Sequence, residues 1–454
     1  MRQNPIRIAS GQGFWGDLPI APIRQVRDGA IDYLMMDYLA EVTMSILQKQ
    51  KSRNPDHGYA LDFVSVITEL LPDIAAGKVK VMSNAGGVNP RACVAAIQAA
   101  ATRLGITGLN IAVVDGDDIL SRLDELLHDG HPLKHMETGE MARDKKESFL
   151  SANVYYGAKP MVEALAQGAQ IVVTGRVTDT GLALAPLIHE FGWSFDDWDK
   201  IAAGTVAGHI LECGAQSSGG NLTDWWRVPS FRKIGFPIAE VSPNGDMIIT
   251  KHPDSDGWVH SMSVKEQLLY EIGDPESYIT PDVVADFTSI HVEDEGPDRV
   301  RVFGIKGKPA TEFYKVSASF SDGYKLTAAL TYAWPDAVEK ARLGALILQQ
   351  RAQDLGLNIG IFHHDLIGYQ ACHEGTGGTG SQQPDEVQLR FSASGASKAD
   401  LDRLGMEIAP LILTGPGSVT GFAGGRPKAT DIVAYWPALI SKSAVEPSVT
   451  LFQL

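Results

Sequence analysis

Five short apolar runs recur in the first 175 residues, at 6–10, 33–36, 79–82, 110–114 and 171–173. The run Ile171-Val172-Val173 is continuous rather than alternating, the pattern of a strand buried on both faces. Between the five runs the apolar residues shift to helical spacing. The stripe at 39–50 carries Leu39, Val42, Ile46 and Leu47, and the one at 61–76 carries Val64, Ile67, Leu71 and Ile74. Further helices are expected at 22–28, 90–104, 119–127 and 160–167. Asn89 followed by Pro90 marks a start, and Gly105 and Gly168 mark stops. Strands alternating with helices predict an α/β fold with a mostly parallel open sheet flanked by helices. Its functional loops belong at the carboxyl ends of the strands, that is at 11–17, 37–41, 83–91, 115–118 and 174–179.

The pattern continues through two helices, at 178–188 and 198–213, the second ending at Gly214. A hairpin is expected at 237–251 with Asn244-Gly245 at its tip, then a helix at 263–272. Pro275 and Pro281 mark a change of character. From 326 the elements run β-α-β-β-α-β, which predicts a carboxy-terminal α+β, ferredoxin-like domain. The division expected is an α/β domain over 1–285 and an α+β domain over 286–454. The glycine-rich stretch 375–380 reads as a flexible loop.

Composition narrows the function. The net charge of −16 argues against nucleic acid or an anionic membrane as the main partner. No apolar run reaches the length of a membrane span. Cys93, Cys213 and Cys372 lie far apart and form no paired framework, which fits a reducing, cytoplasmic setting.

The candidate chemistry sits at the expected strand ends. Gly11, Gly13 and Gly16 fit G-x-G-x-x-G, and Asp37 falls where a ribose-binding acid stands in a dinucleotide fold. Pro19 and Pro22 delay the helix that should begin inside the glycines, so Trp15 and Asp17 read equally well as pocket wall. Asn84, Gly86, Gly87 and Asn89 form a polar turn able to cradle an anion or a carbonyl. Asp115, Asp117 and Asp118 read as helix-capping acids. Arg176 stands where a strand meets a helix, a natural anion site, with Asp179 placed to cap that helix or orient Arg176. His209, Glu212 and Cys213, at i, i+3 and i+4, share a helix face and are the candidate acid–base group, together with Asp37. Gly204 and Gly208 allow the opposite outcome, a tightly packed helix with His209 in the core. A glycine-rich turn ending in Asn221 follows. No metal set and no cofactor is predicted.

In these stretches the chain resembles the acyclic terpene utilisation family, AtuA-like. The likeness rests on Gly11–Asp17, Tyr33–Glu41, Ser83–Cys93, Val113–Asp118, Thr174–Leu184, Gly208–Asn221, Glu266–Phe287 and Gly296–Lys308. The resemblance implies a place in the catabolism of branched acyclic terpenes, whose intermediates are CoA thioesters. The expected function is an enzyme of lyase or hydratase type on an acyl-CoA or carboxylic acid, with CoA as part of the substrate. The alternatives are a non-catalytic partner of an acyl-CoA carboxylase and a dinucleotide-dependent oxidoreductase. A homo-oligomer is expected.

Overall fold

The computed structural model describes residues 2–40, 43–373, 384–420 and 425–454. Val42 and Glu41, on the stripe and beside Asp37 in the sequence reading, and the stretch 375–380 lie outside the described residues. The chain divides into two compact units, Met1–Ser319 with Tyr435–Leu454, and Phe320–Ala434.

All five expected strands form at the heart of the first unit. Ile6–Gln12, Tyr33–Met36, Lys80–Ser83, Ile171–Thr174 and Asn110–Asp115 lie side by side in that order, and every neighbouring pair is parallel. Parallel neighbours put their carboxyl ends on one edge of the sheet. The central strands are apolar on both faces because helices cover both; Tyr33–Met36 and Ile171–Thr174 are buried at every position.

The sheet as a whole is mixed, which corrects the expectation of a mostly parallel one. Four antiparallel strands extend it beyond Ile6–Gln12, in the order Ile238–Val241, Met247–Thr250, Arg299–Phe303 and His291–Gly296. The expected hairpin at 237–251 supplies the first two, with Gly245 at a positive φ of 93° in its turn. At the opposite edge Ser448–Gln453 pairs antiparallel with Asn110–Asp115. The result is ten strands, with a parallel centre and antiparallel flanks. Strand order along the chain cannot reveal those flanks, because hairpins add strands without a helical crossover.

Helix Trp198–Glu212 is buried on nearly every face, from Ile201 to Leu211. It packs against helix Gly181–Phe191 so closely that a Cβ on Gly208 would lie 2.5 Å from Thr180 Cα and O. A small sheet of Lys306–Lys308, Val284–Asp286 and Tyr278–Ile279 lies beside it.

In the second unit, Ile361–Ile367, Glu386–Gly395, Phe313–Ala333 and Val419–Thr420 form an antiparallel sheet in that order. Strand Phe313–Ala333 begins in the first unit and its remainder belongs to the second. Helices Ala337–Asp354 and Lys398–Gly405 bury Leu348, Leu401 and Leu404 against Leu330, Leu389 and Phe391. Among the described residues no helix is long and apolar enough to cross a membrane.

Candidate functional site

The loops at the carboxyl edge of the parallel strands enclose a cavity of about 350 Å³, within the size range of small-molecule sites. Four carboxylates line it: Asp37, Asp179, Glu212 and Glu271. The remaining wall is Gly13, Phe14, Leu39, Ala40, Cys213, Gln216 and Tyr270, with no basic side chain among them.

A single buried amide spaces two of the acids. Asn84 Nδ2 donates to Asp37 Oδ1 at 2.6 Å and to Asp179 Oδ1 at 3.3 Å, while its own Oδ1 accepts the Tyr38 N–H at 2.8 Å. Asp37 also accepts the Leu39 N–H at 3.1 Å. Burial, reinforced by the charge of Asp179, pushes the Asp37 carboxyl well above the usual range, against the pull of Arg176 and the Asn84 bond. Asp37 therefore holds a proton more readily than an ordinary carboxyl.

Arg176 stands behind that wall rather than in it. Its side chain is 2% exposed. The guanidinium grips Asp179 with Nη1 to Oδ1 at 2.5 Å and Nη2 to Oδ2 at 3.3 Å, and Nη1 also donates to the Val177 carbonyl at 2.9 Å. It lies 3.9 Å over the Tyr155 ring. Burial opposes its charge, but Asp179 and the surrounding hydrogen bonds outweigh that and hold the guanidinium firmly protonated. The anion expected at Arg176 is thus this chain's own Asp179. Asp179 does not cap the following helix, which begins at Gly181 with Thr180 in the cap position. The Arg176 N–H is held by Asp117 Oδ2 at 2.9 Å, and Asn153 Nδ2 donates to the same oxygen at 2.8 Å. Burial pushes the Asp117 carboxyl up to about 7.

On helix Trp198–Glu212 the expected shared face exists, with its roles redistributed. Glu212 and Cys213 line the cavity. His209 does not: it is 1% exposed and sits behind Glu212, packed against Tyr278 and Phe287. Both ring nitrogens are occupied. Nε2 lies 2.9 Å from the Gln267 carbonyl, an acceptor only, so Nε2 carries hydrogen. Nδ1 lies 2.8 Å from Glu212 Oε1. That contact needs one proton, either on the imidazole or on the carboxyl. Burial disfavours the imidazolium, but the charge and hydrogen bond of Glu212 outweigh it, and the His209 pKa is raised. Burial likewise raises Glu212, against the opposing pull of His209. The pair keeps its shared proton. Burial also pushes the Cys213 thiol up to about 12, which disfavours the thiolate.

The glycine loop has a packing explanation. A Cβ on Gly13 would lie 2.5 Å from the Gly214 nitrogen, so Gly13 lets the chain at 213–214 pass under the loop. Asp17 Oδ2 accepts the Gly13 N–H at 3.0 Å and closes the turn. Gly11 lies inside the first strand, Trp15 packs on the core, and the helix starts only at Ala21. A phosphate on a helix N-terminus needs the helix to begin within the glycines, and here it does not. The turn after Lys80–Ser83 is likewise closed: Gly86 abuts the Thr174 carbonyl, Gly87 abuts Leu47, and Asn89 donates to the carbonyls of Pro55 and His57. Asn221 is exposed, at a positive φ of 54°. Asp115 pairs with Arg91 and Asp118 accepts the Leu120 N–H. Among the described residues no three His, Cys, Asp or Glu side chains group to hold a metal ion.

Of the residues singled out from the sequence, the cavity gathers Gly13, Asp37, Asp179, Glu212 and Cys213, with Asn84, Arg176 and His209 directly behind them. Tyr270 and Glu271 were missed as wall residues. They follow the helix Ser261–Leu269, and Glu271 takes a positive φ of 59° that no local pattern announces.

Comparison with known proteins agrees with the resemblance noted above. The family model for the acyclic terpene utilisation family protein AtuA matches residues 6–451, nearly the whole chain and every element of the cavity. Neither the curated proteins nor the solved structures include a match. With 446 of its 454 positions inside that match, the chain belongs to the acyclic terpene utilisation family AtuA.

Proposed function

We propose that the chain is an enzyme of acyclic terpene catabolism, of hydratase or lyase type, acting on a CoA thioester. The observation that carries this reading is the 2.8 Å contact of Glu212 Oε1 with His209 Nδ1 at a cavity wall that also holds Asp37, whose carboxyl burial pushes well above the usual range. Addition of water to an α,β-unsaturated thioester needs one group to take a proton from water and another to give one to carbon. In the proposed step the water oxygen bonds the β-carbon and its proton passes to Glu212. The α-carbon takes a proton from Asp37, and solvent exchange resets both carboxyls. Carbon–carbon cleavage of a 3-hydroxyacyl thioester uses the same pair: Glu212 takes the hydroxyl proton, the bond between α- and β-carbons breaks, and Asp37 protonates the departing enolate. The acidic wall favours the acyl portion inside the cavity, with the CoA phosphates outside it.

The test is a panel of branched enoyl-, 3-hydroxyacyl- and carboxylated acyl-CoA esters, followed by mass spectrometry for gain or loss of water or of a two-carbon unit. A parallel thermal-shift screen includes nicotinamide and flavin cofactors. Turnover of a CoA ester supports the reading. Stabilisation by a dinucleotide alone, with no CoA ester turned over, would replace it with the oxidoreductase alternative.

A further inference from the structure

The second unit ends in a strand that matches itself. Ile361–Ile367, IFHHDLI, is the terminal strand of its sheet, paired antiparallel with Glu386–Gly395 on one side. Among the described residues no strand lies on its other side. Such an edge offers unpaired backbone donors and acceptors. Ile361 is 64% exposed and Ile367 is 38% exposed, both on the open face of the sheet with His363 and Asp365. We infer that this edge is the interface for a second copy of the chain, joined antiparallel about a two-fold axis at His364.

The register follows from the sequence. A two-fold axis perpendicular to the sheet, centred at position 364, sets Ile361 opposite Ile367 and Phe362 opposite Leu366. It also sets His363 opposite Asp365, and His364 opposite itself. Apolar residues meet at both ends, and unlike polar groups meet at the centre. Centring on 365 instead sets Asp365 against Asp365, and centring on 363 sets Phe362 against His364. Like charges directly opposite destabilise a pair, and the centre at 363 also sets Ile361 against Asp365. Of these three registers, only the one at 364 sets apolar against apolar residues at both ends and His363 against Asp365. Asp365 is held in place by its own chain, with Oδ1 3.0 Å from His363 Nε2 and Oδ2 accepting Arg390 Nη2 at 2.6 Å, so the polar centre of the strand is ordered.

A second layer points the same way. Helix Ala337–Asp354 covers this part of the sheet, and Arg342 reaches over Tyr369, just past the strand, with its guanidinium 5.9 Å from the ring. Leu346, one turn on from Arg342 and on the same flank, is 47% exposed. Joined edges would bring two such helices side by side, and each Leu346 would gain cover.

Light scattering across a concentration series should show a dimer for the full chain. The double variant Ile361→Glu/Ile367→Glu, at exposed positions, should be monomeric with an unchanged circular dichroism spectrum. Register is tested separately, by a readout that does not depend on that variant's fold. In a Cys372→Ser background, His364→Cys should form a disulfide-linked dimer on mild oxidation, since directly opposite Cβ atoms lie about 4.5–5.5 Å apart. Ile361→Cys alone should not, but should cross-link when mixed with Ile367→Cys. A monomeric wild type, or a dimer that survives the double substitution and fails to cross-link at 364, would overturn the inference.

Discussion

Glu212 Oε1 lies 2.8 Å from His209 Nδ1, and the carboxylate faces the cavity while the imidazole faces the core. The sequence places both on one helix face, and the structure shows that this face looks two ways. His209 is fixed by the Gln267 carbonyl, and Gln267 Nε2 returns a bond to the His209 carbonyl at 2.8 Å. The ring is thus a positioning group for Glu212.

Arg176 is expected to be a residue of stability. Arg176→Met leaves Asp179 without its partner and should cost about 3–5 kcal/mol, the range for breaking a buried ion pair. Arg176→Lys should cost less but still destabilise, because Lys keeps the charge and loses the two-pronged grip. Denaturant unfolding measures both. Normal stability with weakened ligand binding would return Arg176 to substrate contact.

Gly13→Ala should destabilise by about 1–3 kcal/mol, the usual cost of overpacking. The added methyl meets backbone at Cys213 and Gly214, which must shift. Since those residues carry the Cys213 wall, turnover should fall with stability. Unfolding curves that match wild type would show that the close approach is not as tight as described.

Asp117 sets a pH dependence. Its folded pKa of about 7 lies above the ordinary carboxylate value, so its stabilising contribution is full below about pH 4. That contribution is lost as pH rises toward 7, because the folded state binds the extra proton in this window. Asp117→Asn keeps an acceptor oxygen for Arg176 N–H and Asn153, and should flatten melting temperature against pH between about 4 and 7. An unchanged slope would place the titration elsewhere.

The five parallel strands, their order of appearance and the site edge were legible because burial leaves short, largely apolar runs that alternate with helical spacing. The antiparallel flanks were less so. Ser448–Gln453 is half-buried and carries no run of that kind. The place of Asp37, Glu212 and Cys213 on the cavity wall was legible because each terminates an apolar element with a polar group. The opposite facing of His209 was not: helix Trp198–Glu212 is buried all round, so spacing identifies a face without saying what it meets. Arg176 misled for a related reason. A strand-end arginine invites an anion, and the chain itself supplies one three residues on.

The most direct test of the account is turnover of the CoA ester found in the substrate panel by Glu212→Gln, compared with wild type at matched folded protein. Glutamine keeps the shape and a hydrogen bond to His209 but cannot accept the proton. The account predicts a fall in kcat of roughly 10²–10⁴-fold, with the KM and melting temperature close to wild type. Wild-type turnover by a folded Glu212→Gln would contradict it.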